Sequence, residues 1–365
     1  MKKLVFHYMI WMKIYIMFFN VKRQDISIKS CKRWMKAFYE YICNVSSTSY
    51  DFPYKWNVLK GFTDCNIHLI EKKIKVSAPT VICVVRNEVE RLGVFLDHYR
   101  NMGIRNFAII DNNSKDGTLE FLKKQNDVDI FLIKDRFETR IKMGWINRVI
   151  SYYGLNNWYI IADADELLVW QGMEKYNIQK ILKFFDSKNI TRLRALMIDM
   201  YPKEINWTLG EKFADIYPRC RYFDKSTYYF KEAEEVYLIC GGPRKRKLGI
   251  ELWLTKYPVF KLNNYEILSN PHAIFPYENN KFKCYFALKH YKFMTREDII
   301  KMKKYARKGN YAGGSAEYKL YKEVMNEETE IFNFYYENSS EYITSDSLGE
   351  VDVIDKLPLF REESI

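Results

Sequence analysis

Trp158-Tyr159-Ile160-Ile161-Ala162-Asp163-Ala164-Asp165-Glu166 is an apolar run that ends abruptly in three carboxylates. A run of that length bounded by charge reads as a buried central strand. Its carboxylates then emerge at the carboxyl end, where open α/β sheets place their ligands. Two aspartates separated by one residue can share a hard divalent cation of the Mg²⁺ or Mn²⁺ type, held by one or two carboxylates together with substrate phosphates. A solvated acidic turn after a strand is the competing reading of the same residues.

The upstream sequence favours a ligand site. Thr80-Val81-Ile82-Cys83-Val84-Val85 is a β-branched run that stops at Arg86-Asn87-Glu88, and Leu92, Phe95, Leu96 and Tyr99 follow at helical spacing. Phe107-Ala108-Ile109-Ile110 runs into the turn-rich Asp111-Asn112-Asn113-Ser114-Lys115-Asp116-Gly117-Thr118, which predicts a helix beginning near Thr118. Val128 to Ile133 predicts a third strand. Ile141, Trp145, Ile146, Val149, Ile150 and Tyr153 mark the inner face of a third helix before the strand that ends at Asp163. Strands alternating with helices imply a parallel sheet covered on both faces, with three polar loops at its carboxyl edge.

Val85-Arg86-Asn87-Glu88 after the first strand, Asp111 to Thr118 after the second and Asp163-Ala164-Asp165-Glu166 after the fourth together resemble the family 2-like group of GT-A glycosyltransferases. The resemblance continues through Gly241-Gly242-Pro243-Arg244-Lys245-Arg246, Lys256-Tyr257-Pro258, Leu288-Lys289-His290-Tyr291-Lys292-Phe293 and Tyr318-Lys319-Leu320-Tyr321, and covers about residues 78 to 322. It implies a GT-A, Rossmann-like α/β fold with a mostly parallel sheet, helices on both faces, and helical appendages at both ends. The expected divisions are a basic, partly apolar appendage over 1–76, the catalytic domain over 77–322, and an accessory helix with a loose acidic tail over 323–365.

The activity that this resemblance implies is metal-dependent, inverting transfer of a sugar from a nucleotide-sugar donor, expected to be UDP-linked, to a glycan or lipid-linked acceptor in bacterial surface polysaccharide or lipopolysaccharide assembly. By the same resemblance Asp111 hydrogen-bonds the nucleotide base or ribose, while Arg86, Asn87, Glu88 and Asn113 line the nucleotide pocket. Asp163 is the ribose or metal-water partner, Asp165 the direct ligand to Mn²⁺ or Mg²⁺, and His290 completes the metal shell. A cation there would neutralise the charge developing on a diphosphate leaving group. His272 is a second, lower-ranked candidate for the metal or phosphate side. Arg244 is expected near the diphosphate or acceptor. Asp199, Glu234 and Glu235 are candidates for the base that deprotonates the acceptor hydroxyl. Each has a plainer reading: Asp111 as a turn former, Arg86 in a surface ion pair, His290 satisfied by backbone, the Gly241 segment as an exposed hairpin turn, and the candidate bases as surface carboxylates.

Composition sets the outer limits. At 365 residues, with 48% hydrophobic and 17% aromatic content, the chain can pack one large α/β domain and is not disordered. Seven cysteines, scattered without metal-type spacing, fit a reducing cytoplasm better than a disulfide-rich secreted setting. Residues 1–76 hold 14 Lys and Arg against 5 Asp and Glu, so most of the net charge of +12 lies outside the expected catalytic region. That uneven distribution argues against nucleic acid as a partner, as do the acidic loops at the sheet edge. A catalytically silent carbohydrate-binding or scaffold protein on the same fold remains the alternative function.

From Leu4 to Phe19 the sequence is strongly apolar, but His7 and Lys13 interrupt it, and it is shorter than the roughly 20 residues of a spanning helix. No small-residue cleavage site follows. With Lys22, Arg23, Lys29, Lys32, Arg33 and Lys36 behind it, the segment suits a helix lying on the anionic inner face of the plasma membrane. The alternative is a helix packed on the catalytic domain with a solvated basic face.

Overall fold

The computed structural model describes residues 2–19, 28–44, 51–74, 79–205, 211–233, 236–280, 283–292, 298, 302, 306–307, 317–321 and 333–358. Three helices come first: α1 (Lys2–Phe19), α2 (Ile28–Cys43) and α3 (Asp51–Thr63). Strand β1 (Ile67–Glu71) precedes the alternating units β2 (Thr80–Val85), α4 (Val89–Asn101), β3 (Asn106–Asp111), α5 (Thr118–Lys123), β4 (Val128–Ile133), α6 (Thr139–Tyr153) and β5 (Trp158–Ile161). The chain continues through β6 (Glu166–Trp170), α7 (Ile178–Ser187), β7 (Arg192–Asp199), α8 (Phe213–Ile216), β8 (Tyr222–Asp224), β9 (Tyr228–Ala233), β10 (Val236–Gly241) and α9 (Gly242–Leu248). It ends with β11 (Thr255–Lys261), β12 (Ile267–Asn270), β13 (Ala273–Phe275), β14 (Cys284–His290) and β15 (Ser339–Glu341).

The near-continuous apolar strands follow from burial on both faces. Along β2, Val81, Cys83 and Val85 enter one core while Ile82 enters the other, and in β3 Phe107 and Ile109 part from Ala108 and Ile110 in the same way. Helices α4, α5 and α7 cover the first face; α1, α2, α3 and α6 cover the second. The expected mixed α/β architecture with two helical layers is present.

Nine strands form the central sheet in the order β1-β4-β3-β2-β5-β11-β7-β14-β6. Six of them (β4, β3, β2, β5, β7 and β14) run one way, while β1, β11 and β6 run the other. The parallel character expected from the sequence is concentrated in β4-β3-β2-β5; the half built after residue 161 is interleaved with antiparallel strands. Between β5 and β6 the chain has only the tight turn closed by Glu166 N–H donating to Asp163 O at 2.9 Å. Yet β6 lies four strand positions away, about 19 Å in a flat sheet and beyond the roughly 18 Å that five residues span. The sheet therefore curls, which brings its centre and far edge together around residues 163–166.

The N-terminal helices are not a separate appendage. Ile10, Ile14, Phe18, Trp34, Phe38 and Phe62 share one core with α6 and the sheet. Helices α3 and α6 cross at Gly61 and Gly144, where a Cβ on Gly144 would stand 2.3 Å from Val58 O and one on Gly61 2.2 Å from Ile141 O. Gly144→Ala therefore forces the helices apart. It should cost about 1–3 kcal/mol, read as a lower urea midpoint; an unchanged midpoint would contradict this crossing. No helix among the described residues is long and apolar enough to cross a membrane.

The C-terminal segment also departs from expectation. Residues 333–358 do not form a loose tail: Leu348, Val351, Val353 and Leu357 enter the main core, and β15 pairs with β8. These apolar side chains, spaced among the acidic ones, supply the anchoring that charge content concealed. The accessory helix expected from residue 323 falls largely on 322–332, outside the described residues.

Packing also sets a pH response. His98 on α4 donates Nε2–H to Leu168 O at 2.7 Å, and burial, aided by Lys289, lowers its pKa to about 4. The unfolded chain takes up this proton near 6.5, so the contribution to stability is complete above that pH and is lost as pH falls towards 4. His98→Gln should flatten this part of the stability profile by ~1–2 kcal/mol. Parallel wild-type and variant urea curves from pH 7 to 4 would count against it.

Candidate functional site

Parallel pairing of β3, β2 and β5 sets the first part of the site, because it aligns Val85 with Asp111 and Ile82 with Ile161. The loops that leave these strands are then neighbours. Asn87 and Asn113 take left-handed backbone conformations, φ 59° and 56°, which Asn tolerates better than most residues. Asn87 N–H donates to Ser114 Oγ at 2.9 Å, Lys115 N–H to Asn87 Oδ1 at 2.7 Å, and Glu88 N–H to Thr118 Oγ1 at 3.0 Å. Arg86 is exposed and donates to Asn112 Oδ1 at 3.2 Å, while the Glu88 carboxylate pairs with Arg91 at 2.9 Å. Asp111 is fully buried: its Oδ1 accepts from Ser114 N–H at 2.8 Å, and its Oδ2 has no partner among the described residues. Burial raises its pKa.

Strand register sets the second part. Across β6, β14 and β7, Glu166 stands opposite His290 and His290 opposite Asp199, so three residues far apart in sequence form one row. The turn before β6 adds Asp165. Donor atoms of Asp165, Glu166 and His290 lie within 4.8 Å of one another, a set able to hold a metal ion. Tyr291 N–H donates to Asp165 O at 2.9 Å and fixes the turn against β14. His290 Nε2 faces Asp165 Oδ2 at 3.5 Å while its Nδ1 engages Asp199 Oδ1 at 2.6 Å. An imidazole oriented through its second nitrogen by a carboxylate is the arrangement that metal-binding histidines commonly show. Two carboxylates and an imidazole fit a divalent cation.

Asp163 is not in this cluster. Lys142, from the first turns of α6, pairs with its Oδ1, and Lys256 of β11 lies 4.0 Å from its Oδ2 while pairing with Glu166. Burial would raise the Asp163 pKa, but Lys142 and Lys256 outweigh it and hold it low. Asp165 is likewise held well below the usual carboxylate range: His290 and Arg91 overcome its burial. Lys142, Asp163, Glu166, Lys256, Tyr257 and Pro271 line a pocket beside the cluster.

Three expected roles change. Asp199 is not available as a base: it is 3% exposed, and its oxygens are occupied by His290 and by Arg244 Nε at 2.7 Å. Burial would raise its pKa, yet Arg244 and His290 hold it at about 2. Arg244 does not reach towards solvent phosphate either. Gly241 ends a strand and Gly242 starts α9, so this segment is a strand-to-helix junction rather than a hairpin turn. That junction buries Arg244 against Asp199, Glu317 (3.2 Å) and Tyr321 (3.1 Å). His272 is apart from the metal cluster; its Nδ1 bonds Thr255 O at 2.5 Å and its ring packs edge-on to Trp253. Glu234 and Glu235 lie outside the described residues.

The sequence does not single out Glu166 as a candidate ligand, nor Lys142 and Lys256 as the cations beside Asp163 and Glu166. Glu166 was visible as the third carboxylate of the run, and Lys256 within Lys256-Tyr257-Pro258, but nothing local tied either to His290. No protein-family model and no curated protein matches the chain.

Proposed function

We propose that the chain is a metal-dependent glycosyltransferase that takes a nucleotide-sugar, UDP-linked by preference, as donor and a hydroxyl of a glycan or lipid-linked glycan as acceptor. The observation that carries this reading is the meeting of Asp165, Glu166 and His290 at the carboxyl edge of the parallel strands, beside the loops of Arg86–Glu88 and Asp111–Thr118. Open α/β sheets bind nucleotides at that edge.

In this reading Asp165, Glu166 and His290 hold the cation, with Asp199 fixing the imidazole. When bound, a divalent ion stabilises negative charge on the departing diphosphate. Lys142 and Lys256 place two further positive charges at the same pocket and keep Asp163 ionised beside it. The Oδ2 of Asp111, without a partner among the described residues, is an acceptor for a base or ribose donor, since a buried oxygen gains from a partner. Its burial requires the loop of residues 112–116 to shift as nucleotide enters. The acceptor oxygen bonds to the anomeric carbon as the bond to the diphosphate breaks, and the hydroxyl proton passes to a base other than Asp199. A donor panel read by nucleotide release, with and without Mn²⁺ and with a glycan extract as acceptor, tests the proposal. Metal-stimulated release from one donor supports it; no release from any donor, with metal and acceptor present, removes it.

A further inference from the structure

Helix α1 is apolar on two opposite sides, and only one of them is used inside the molecule. Ile10, Ile14 and Phe18, spaced by four, are buried in the core that α1 shares with α2 and α3. On the outer side Tyr8, Met9, Met12, Tyr15, Ile16 and Phe19 form a continuous helical stripe, with Tyr8 64%, Ile16 54% and Phe19 70% exposed. Single exposed apolar residues are ordinary on a protein surface, but six on one helix face are a patch that marks an interaction site.

Charge indicates what covers it. Residues 1–36 contain nine Lys and Arg and a single acidic residue, Asp25. Lys13 is exposed on α1, and Lys29 and Lys32 are exposed on α2 with no ion pair among the described residues. Helix α2 is fastened to α1 by ring contacts of Trp11 with Tyr39 (5.1 Å) and Phe18 with Phe38 (6.2 Å), so the basic residues travel with the apolar stripe. An apolar face containing Tyr, Met and Phe, with Lys and Arg beside it, is the composition of a helix that lies in a lipid headgroup region. A second copy of the chain is disfavoured, because pairing two stripes would bring like charges together. A span is excluded for α1, whose other side is committed to the core.

We infer that the outer face of α1, with the lysines of α2, docks the protein on an anionic lipid bilayer, α1 lying in the plane of the surface with Tyr8, Met12, Ile16 and Phe19 towards the acyl boundary. This inference is independent of the sugar-transfer reading. Docking of this kind combines buried apolar area with attraction to anionic headgroups, and it weakens as salt screens the charges.

The test is co-sedimentation of the full chain with phosphatidylcholine vesicles and with vesicles carrying about one third phosphatidylglycerol. The expected result is at least about tenfold tighter binding to the anionic vesicles at low salt, falling as salt rises. Ile16→Glu changes a side chain outside the core, so far-UV circular dichroism and melting should be unchanged while vesicle binding falls about tenfold or more. Lys29→Glu with Lys32→Glu should act similarly on anionic vesicles alone, and this pair keeps the test decisive should Ile16→Glu fail to fold. Equal binding to both vesicle types, or no binding to either, overturns the inference. So does a dimer that Ile16→Glu splits into monomers while vesicle binding persists, since the stripe then covers a second copy.

Discussion

Asp165→Asn is expected to lower metal-stimulated sugar transfer at least about 100-fold, the scale of losing a main electrostatic stabiliser of developing charge. An amide in place of the carboxylate removes an anionic ligand from the set formed with Glu166 and His290. The fold should hold, because Asn has the same shape and the backbone oxygen that anchors Tyr291 is untouched. Nucleotide release and thermal melting, measured on the same preparation, separate the two effects. Near-normal turnover in a folded variant would take Asp165 out of the metal site.

Arg244→Met should act in the opposite sense, on the fold before the chemistry. Arg244 is buried against Asp199 and Glu317, so its removal takes from the buried Asp199 carboxylate the stronger of its two ionic partners, and breaking a buried pair commonly costs about 3–5 kcal/mol. Asp199 would keep only His290 as an ionic partner, and Glu317 would keep Lys292. A large fall in the denaturation midpoint is expected, with nucleotide affinity retained at temperatures where the variant stays folded. Full stability together with weakened nucleotide affinity would restore Arg244 to the phosphate-binding role read from its sequence context.

The difference between those two residues shows what the sequence made legible. From Thr80 to Asp165 the strands and helices are local patterns, with a continuous apolar run over Thr80–Val85 and helical spacing from Leu92 to Tyr99, and their order alone predicts the sheet edge where Asp111 and Asp165 lie. Beyond Glu166 the site depends on pairings between distant segments. Glu166 meets His290 only because β6 lies antiparallel to β14, and Asp199 meets His290 only because β7 runs parallel to it. No periodicity within one segment encodes those registers. Asp199 reads as a base from its place after the apolar Ala195–Ile198 run, and Arg244 as a phosphate ligand from its glycine-led segment; each is the other's buried partner. The Gly61–Gly144 crossing, which joins the basic N-terminal helices to α6, was hidden for the same reason, since each glycine is unremarkable in its own helix.

One metal site is expected to couple the acidic cluster to nucleotide binding at the sheet edge. Isothermal titration of a panel of nucleoside diphosphates into the wild-type chain and Asp165→Asn, each with and without Mn²⁺, tests it most directly. Mn²⁺ should tighten binding of one nucleotide by about tenfold or more in the wild type and have little effect in the variant. Nucleotide binding that ignores Mn²⁺ in the wild type, or no nucleotide binding under any condition, would contradict it.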